Sequence, residues 1–391
     1  MKHLLLTNDF PPKIGGIQSY LWELWRRLPA AETHVYTTPY QGAAAFDAEQ
    51  DFWIRRSREP VLLPHPGLIR RINALVEALD IDLVIIDPAF PLGLLAGRLN
   101  RPYAVVLHGA EVAIPGRLAP TKVVLGRVLR GARLVIAAGQ YPATEAERCA
   151  GVPLPIVVVP PGVDTDRFGP LDPNRRGEVR KRYGLDEDDV VVASVSRLVP
   201  RKGMDVLIAA AAELRFRHPG VRMLIGGKGR DENRLRRAIL ATGAPVELVG
   251  FIPDDELSDF YGAADVFAML CRSRWMGLEQ EGFGIVFAEA AACGVPALCG
   301  RSGGAHEAVQ DQVTGLVVDR PSSVREVTGA LDRLLSEDDA RAAMAAAALQ
   351  RANREFRYDL LAERLHRALH QALPPSGQGA VPPVPRQEGH L

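Results

Sequence analysis

Two tandem series of short aliphatic runs constrain this 391-residue chain more than any other feature. The first series is Leu4–Thr7, His34–Thr37, Leu83–Ile86, Ala104–Leu107, Leu134–Ala138 and Ile156–Val159. The second is Val190–Ser196, Arg222–Ile225, Val246–Val249, Val266–Leu270, Pro296–Cys299 and Gly315–Val318. Most of these runs are apolar at consecutive positions, as strands covered on both faces require, and amphipathic helical patterns separate most of them. Parallel strands need such crossovers, because a tight turn cannot join them. The chain therefore reads as α/β, with two Rossmann-like parallel sheets in succession. Length agrees, since one hydrophobic core seldom organises more than about 250–300 residues.

The boundary is expected within Asp164–Asp189, where Gly169–Pro170 and Asp172–Pro173–Asn174 interrupt a stretch without a long apolar run. That division gives an N-terminal domain over residues 1–168 and a C-terminal one over 185–355. A helix over 356–373 carries Leu360, Leu361, Leu365 and Leu369 at helical spacing and is expected to pack back on the N-terminal domain. The Pro- and Gly-rich residues 374–391 read as a disordered tail.

Lys+Arg and Asp+Glu are both 47, so bulk charge offers no reason to expect a nucleic-acid partner. The four cysteines (Cys149, Cys271, Cys293 and Cys299) form no CxxC pair, which argues against a zinc site and a disulfide framework. No run reaches the ~18 apolar residues of a membrane-crossing helix, and the opening MKHLLLTNDFPP is too short for a signal peptide. The expected location is cytoplasmic.

Three segments carry candidate chemistry. In Glu281-Gly282-Phe283-Gly284-Ile285-Val286-Phe287-Ala288-Glu289, two glycines precede an Ala-rich helix. Glycines allow close backbone approach, and a helix start offers free N–H groups and a positive dipole end. Glu281 precedes the helix and Glu289 lies about one turn inside it, so the two carboxylates are set apart along a bound ligand. Read alone, the segment is equally a glycine-bounded turn with a solvated glutamate. The second segment, Ser196-Arg197-Leu198-Val199-Pro200-Arg201-Lys202-Gly203, follows the first strand of the second series. Arg197 and Lys202 can converge there on one diphosphate, at the end of a sheet where α/β proteins place ligands. Read as an ordinary basic turn, it places Lys202 at the surface with little weight in stability. The third, Asn8-Asp9-Phe10-Pro11-Pro12-Lys13-Ile14-Gly15-Gly16-Ile17-Gln18, runs from a strand into a helix. It matches neither GxGxxG nor GxxxxGK[ST], so the dinucleotide and P-loop signatures are both missing. Ser302-Gly303-Gly304-Ala305-His306-Glu307 is a similar turn, read as structural. His108 ends a strand of the first series and can face a cleft or serve as a buried structural residue. No His, Cys, Asp and Glu spacing suggests a metal.

These segments, in this order, resemble the retaining glycosyltransferases of family 4, which have the GT-B fold: two Rossmann-like domains facing each other across a cleft. The opening LLLTNDFPPKIGGIQSYL, the loop CRSRWMGLEQEGFGIVFAEA and the following ACGVPALCGRSGGAHEAV are most similar to the actinobacterial phosphatidylinositol mannosyltransferases of the PimB type. The resemblance implies a donor, GDP-mannose, bound by Arg197, Lys202, Gly16 and the backbone of Gly282, Phe283, Gly284 and Ile285. It implies that Glu289 holds the ribose, that Ile252 meets the base through its backbone, and that Glu281 and His108 act on the transferred sugar. Asp9 and Gln18 would meet the acceptor. It further implies front-face transfer with retention, without a metal or cofactor, because fixed cations and a helix start neutralise the leaving diphosphate.

A lipid acceptor would require a membrane contact and place the chain peripherally on the inner face of the cell membrane. Phe52-Trp53-Ile54-Arg55-Arg56-Ser57-Arg58, Leu68-Ile69-Arg70-Arg71 and the Lys/Arg-bearing stretch Leu118–Leu134 mix cations with apolar residues as an anionic bilayer prefers. Trp22 and Trp25 could add an interfacial anchor. Two other readings remain open: a same-fold enzyme using a UDP-sugar or another GDP-sugar on a soluble or different lipid acceptor, and a two-lobed binding protein without activity. A glycosidase reading of the glutamates is weaker, because the neighbouring features bind phosphate.

Overall fold

The structure, a computed structural model, describes residues 1–277 and 279–373; the expected tail 374–391 lies outside the described residues. Two compact units divide the chain, one of Met1–Pro160 with the helix that begins at Tyr358, the other of Pro161–Arg357.

The first unit holds a seven-stranded sheet of β1 (His3–Thr7), β2 (Thr33–Thr37), β3 (Trp53–Arg56), β4 (Leu83–Asp87), β5 (Tyr103–Leu107), β6 (Leu134–Ala137) and β7 (Ile156–Val158). Every pairing is parallel, in the order β3-β2-β1-β4-β5-β6-β7. Successive side chains of a strand face opposite ways, and β1 shows the result. Leu4 and Leu6 enter one core with Ile72, Ile86 and Leu107, while Leu5 enters another with Leu21, Trp25 and Ile85. Both faces of β1 are covered, which is why it and its inner neighbours β4 and β5 read as largely apolar runs.

The second unit repeats the plan with β8 (Val190–Val195), β9 (Val221–Gly226), β10 (Val246–Gly250), β11 (Val266–Met269), β12 (Ala297–Gly300) and β13 (Gly315–Val318). Their order is β10-β9-β8-β11-β12-β13, again all parallel. In each sheet the strand order reverses beside the first strand, between β1 and β4 and between β8 and β11. Chain connections diverge at such a point and leave open ground at the strands' carboxyl ends.

Three expectations need correction. Asp172–Pro173–Asn174 does not mark a linker: the Asp172 side chain accepts from the N–H groups of Asn174 and Arg175 and caps the helix Pro173–Arg182. That helix buries only Val179 and Arg180 and docks through its cations, with Arg176 2.7 Å from Asp265 and Arg180 bonded to the Ala263 carbonyl. Residues 161–184 therefore belong to the second unit, although no apolar stripe announces it. Second, Trp53–Arg56, read as part of a membrane-facing patch, is the edge strand β3, and Arg56 is tied to Asp47 at 2.7 Å and to the Pro11 carbonyl. Third, Trp25 is fully buried and offers no interfacial anchor, while Trp22 donates its indole N–H to Gln50.

The helix Tyr358–Ala372 lays Leu361, Leu365 and Leu369, all fully buried, into the same core as Leu21 and Trp25. Leu365→Ala is expected to lower stability by about 2–5 kcal/mol. Urea unfolding followed through tryptophan fluorescence checks this, and a loss below about 1 kcal/mol would mean that the helix is only loosely held.

Candidate active site

The second unit gathers its charges beside β8 and β11. The chain leaves β8 through Ser196 and Arg197 and tightens into a single 3-10 turn, Pro200–Lys202, before the helix Met204–Leu214. That turn sends two neighbouring cations to one carboxylate oxygen. Lys202 Nζ donates to Glu281 Oε2 at 2.7 Å and Arg201 Nη1 to the same atom at 3.0 Å, with Cys271 Sγ 3.8 Å away. Arg201 also donates to the Gln280 carbonyl and so holds the backbone that presents Glu281.

Burial alone pushes the Glu281 carboxyl up, but Lys202 and Arg201, with Arg197 behind them, hold it below the usual glutamate range. The same burial pushes the Cys271 thiol up to about 12, so it stands there as a neutral group. Glu281 Oε1 has no hydrogen bond among the described residues, which leaves it open to a ligand hydroxyl. Glu279 lies 4.0 Å from Arg201 and 3.0 Å from Arg274, so four cations (Arg197, Arg201, Lys202, Arg274) against two carboxylates (Glu279, Glu281) leave the cluster a net charge of +2.

Sequence spacing sets Lys202 with Arg197 for a diphosphate; the cation that shares Glu281 Oε2 with Lys202 is Arg201. The Arg197 side chain is exposed and makes no hydrogen bond or ion pair among the described residues. Nor is Lys202 a surface cation, being only 7% exposed.

Gly282–Gly284 lead from Glu281 into the helix Ile285–Ala292, whose N-cap Gly284 has φ +81°, a value that suits glycine. Among the described residues, the N–H groups of Gly282, Phe283, Gly284 and Ile285 have no acceptor. Consecutive unpaired N–H groups at a helix start make an anion cradle. The turn after β12 braces it from behind. Gly304 N–H donates to the Glu281 carbonyl, and a Cβ on Gly303 or Gly304 would come within 2.2 Å or 2.1 Å of the carbonyls of Glu281 and Gly282. Inside the same helix, Glu289 accepts from the Tyr261 hydroxyl at 2.7 Å, and burial raises the Glu289 carboxyl above its ordinary value. Ile252 buries its side chain against Gly226, and its own N–H and C=O have no partner among the described residues.

In the first unit, Asp87 ends β4 and is fully buried. One of its oxygens accepts from the Thr7 hydroxyl at 2.6 Å, and the other lies 2.7 Å from His108 Nε2. Desolvation lowers the affinity of His108 for a proton, yet Asp87, reinforced by Glu111 and Asp9, outweighs it and raises the imidazole above its usual value. Tyr20 meets the His108 ring edge-on at 5.5 Å. Glu111 accepts from the Gly109 N–H at 3.0 Å and so fixes the turn that follows β5. Asp9 and Gln18 are brought together, Gln18 Nε2 donating to Asp9 Oδ1 at 2.5 Å beside the Lys13 ammonium at 2.7 Å. Gly16 begins the helix Gly16–Trp25, a Cβ there would meet nothing within 4 Å, and its N–H is unpaired among the described residues.

Sequence reasoning passed over Asp87, Arg201, Tyr261 and Glu111. An acidic residue closing the otherwise aliphatic Leu83–Asp87 run was the available signal for Asp87, and the adjacency of Arg201 to Lys202 was the signal for Arg201. Tyr261 had none, since the strand–helix pattern accounts for it as core.

Two family models match: Glycosyltransferase Family 4 over residues 14–167 and Glycosyl transferases group 1 over residues 175–351. The GDP-mannose-dependent alpha-(1-6)-phosphatidylinositol monomannoside mannosyltransferase of Mycobacterium tuberculosis is 42% identical over 374 residues, which cover 93% of this chain and 96% of that protein. A Corynebacterium glutamicum enzyme, GDP-mannose-dependent and named for a monoacylated form of the same acceptor, is 36% identical over 373 residues, covering 93% and 96%. Among solved structures, Anabaena HepE in complex with UDP superimposes with a TM-score of 0.80 at 22% identity, covering 95% of this chain and 100% of that one. The WaaG glycosyltransferase of lipopolysaccharide biosynthesis gives a TM-score of 0.68 at 19% identity, covering 93% and 98%. With two parallel-sheet units of this topology and relatives of this identity over nearly its whole length, the chain belongs to the family 4 glycosyltransferases of the GT-B fold, in the group of the PimB-type enzymes.

Proposed function

We propose that this glycosyltransferase moves mannose from GDP-mannose to a phosphatidylinositol monomannoside. The observation that carries the reading is a +2 cluster set beside a cradle of unpaired N–H groups, in a chain 42% identical to an enzyme named for that reaction. In the second unit, Lys202, Arg197 and the amides of Gly282, Phe283, Gly284 and Ile285 take the diphosphate. Arg201 holds Glu281 in place. The free oxygen of Glu281 accepts from hydroxyls of the mannose, Glu289 accepts from the ribose, and the unpaired backbone of Ile252 meets the base.

Transfer proceeds with retention. The acceptor oxygen attacks the anomeric carbon from the face that the diphosphate leaves, and its proton passes to the departing phosphate oxygen. Negative charge grows on that phosphate as the bond breaks. Fixed cations and amides stabilise it there without reorganising, which is the term that lowers the barrier, and no metal or cofactor is required for it. To the first unit the same reading assigns Gly16 as a donor-binding residue, His108, whose affinity for a proton Asp87 raises, as a sugar-binding one, and the Asp9–Gln18 pair as acceptor-binding.

The first unit also carries the membrane contact, and the enzyme works peripherally on the inner face of the cell membrane. Support for this comes from the helix Ala119–Gly131, which exposes Val123 beside Lys122 and Arg127 and follows the exposed Leu118. Among the described residues, no helix is long and apolar enough to cross a membrane.

A donor screen with purified protein and a mannosylated inositol lipid tests the reading. Turnover with GDP-mannose and none with UDP-sugars is expected; the reverse pattern would overturn it. Lys202→Ala should reduce turnover by about 10²–10³-fold, the usual effect of removing one transition-state donor. It should also destabilise the fold, because the buried Glu281 loses one of its two partners. Wild-type turnover in that variant would exclude the diphosphate role.

Asp87→Asn gives a pH signature. The folded value of His108 lies above its unfolded value of about 6.5, so the stabilisation from its pairing with Asp87 is complete below that pH and is lost as pH rises through the folded value. The stability gap between wild type and Asp87→Asn should therefore be widest in mild acid and narrow toward alkaline pH. Thermal unfolding across that range measures the gap, and one that is constant or widens with pH would reject the pairing.

A further inference from the structure

Away from these residues, the first unit brings three metal-ligating side chains to one point. Glu32 precedes β2, while His366 and His370 stand one turn apart on the last helix, 334 and 338 positions along the chain from Glu32. His366 Nε2 lies 3.2 Å and His370 Nε2 3.0 Å from the same atom, Glu32 Oε2. Among the described residues, one ligand atom from each of the three lies within 4.8 Å of the other two.

We propose that Glu32, His366 and His370 form a zinc site that clamps the C-terminal helix to the segment entering β2. Histidines at i and i+4 turn both imidazoles to one side of a helix, the arrangement that metal-binding helices use. Zinc holds imidazole nitrogen at about 2.0–2.1 Å and carboxylate oxygen at about 2.0–2.2 Å in a tetrahedron, which sets neighbouring ligand atoms about 3.4 Å apart. The two nitrogen–oxygen separations fall close to that edge length. The third separation closes by side-chain rotation, for which there is room, because His366 and His370 keep 33% and 41% of their side-chain surface exposed. That exposure also leaves the fourth position to water. The Met1 amino group binds the other Glu32 oxygen at 2.9 Å, so Oε2 faces the two imidazoles. Two histidines and a carboxylate form a donor set that zinc accepts readily.

The sequence suggests no metal here: Leu360, Leu361, Leu365 and Leu369 account for the helix, and nothing in the spacing links its histidines to Glu32. The site stands apart from the groups assigned to the transfer reaction, so zinc is argued as a fastener and takes no part in the chemistry.

Isothermal titration of untagged, chelator-stripped full-length protein with zinc chloride provides the test. One zinc per chain is expected, with a matching rise in the thermal midpoint. His370→Ala and Glu32→Gln should each weaken that binding at least about tenfold, since ligands count for more than the outer-shell groups that already cost 10–100-fold. Both variants should keep the wild-type midpoint when zinc is absent, or lose little of it, which separates a lost ligand from a lost fold. Cobalt(II) should give the intense visible bands of a tetrahedral site in the wild type and lose them in His370→Ala. No zinc uptake, or uptake that both substitutions leave unchanged, would overturn the proposal.

Discussion

The second unit turns on a carboxylate held between two cations. Isolated, the ionised Glu281 side chain would be costly to bury, and removing one partner from a buried pair typically costs about 3–5 kcal/mol. With Lys202 and Arg201 both on Oε2, the group stays ionised and fixed. The pair is not an economical way to stabilise a fold, since apolar residues of similar volume commonly do at least as well. Its product is positional: two loops, one leaving β8 and one entering the helix Ile285–Ala292, are locked to a common atom, and a surplus of positive charge remains beside the unpaired amides. Both halves of that arrangement suit an anion that arrives from solvent and gains charge during reaction.

His108 and Asp87 repeat the logic in the first unit with opposite emphasis. There the carboxylate is the more deeply buried member, with Thr7 and the imidazole as its partners. A neutral imidazole would only donate one hydrogen bond, whereas an imidazolium balances the buried charge and still presents a positive edge to a hydroxyl or phosphate. The pairing therefore orients the ring and raises its affinity for a proton. A lone histidine at a strand end reads as a structural residue; the aspartate in the next strand of the sheet is what sets this one apart.

How much of this was legible follows the range of each interaction. The strands buried on both faces announced themselves, because alternation between two cores leaves most positions apolar, and among the described residues twelve of the thirteen strands overlap those runs. The exception, β3, reads Trp-Ile-Arg-Arg, since an edge strand has a wet side that tolerates arginine. The helix Pro173–Arg182 was missed for a related reason: it docks by guanidinium groups onto carbonyls and Asp265, so it has no apolar stripe to find. Glu281, Lys202 and the glycine-bounded helix start stand out in the sequence by residue type and position. Whether Lys202 met Arg197 or Arg201 depended on the twist of one 3-10 turn, a detail that spacing along a chain does not encode. Partners from separate strands, such as Asp87 with His108, needed the sheet order before they could be joined.

The contact between the Gly303–Gly304 turn and the Glu281–Gly282 carbonyls carries a practical lesson for reading natural variants. Those glycines lie about twenty residues downstream of Glu281, yet even a methyl group there would stand closer to the Glu281 and Gly282 carbonyls than carbon and oxygen can approach, so the backbone that leads into the amide cradle would have to move. An inherited alanine at either place would have to displace that backbone, and a survey limited to charged side chains would file it as harmless.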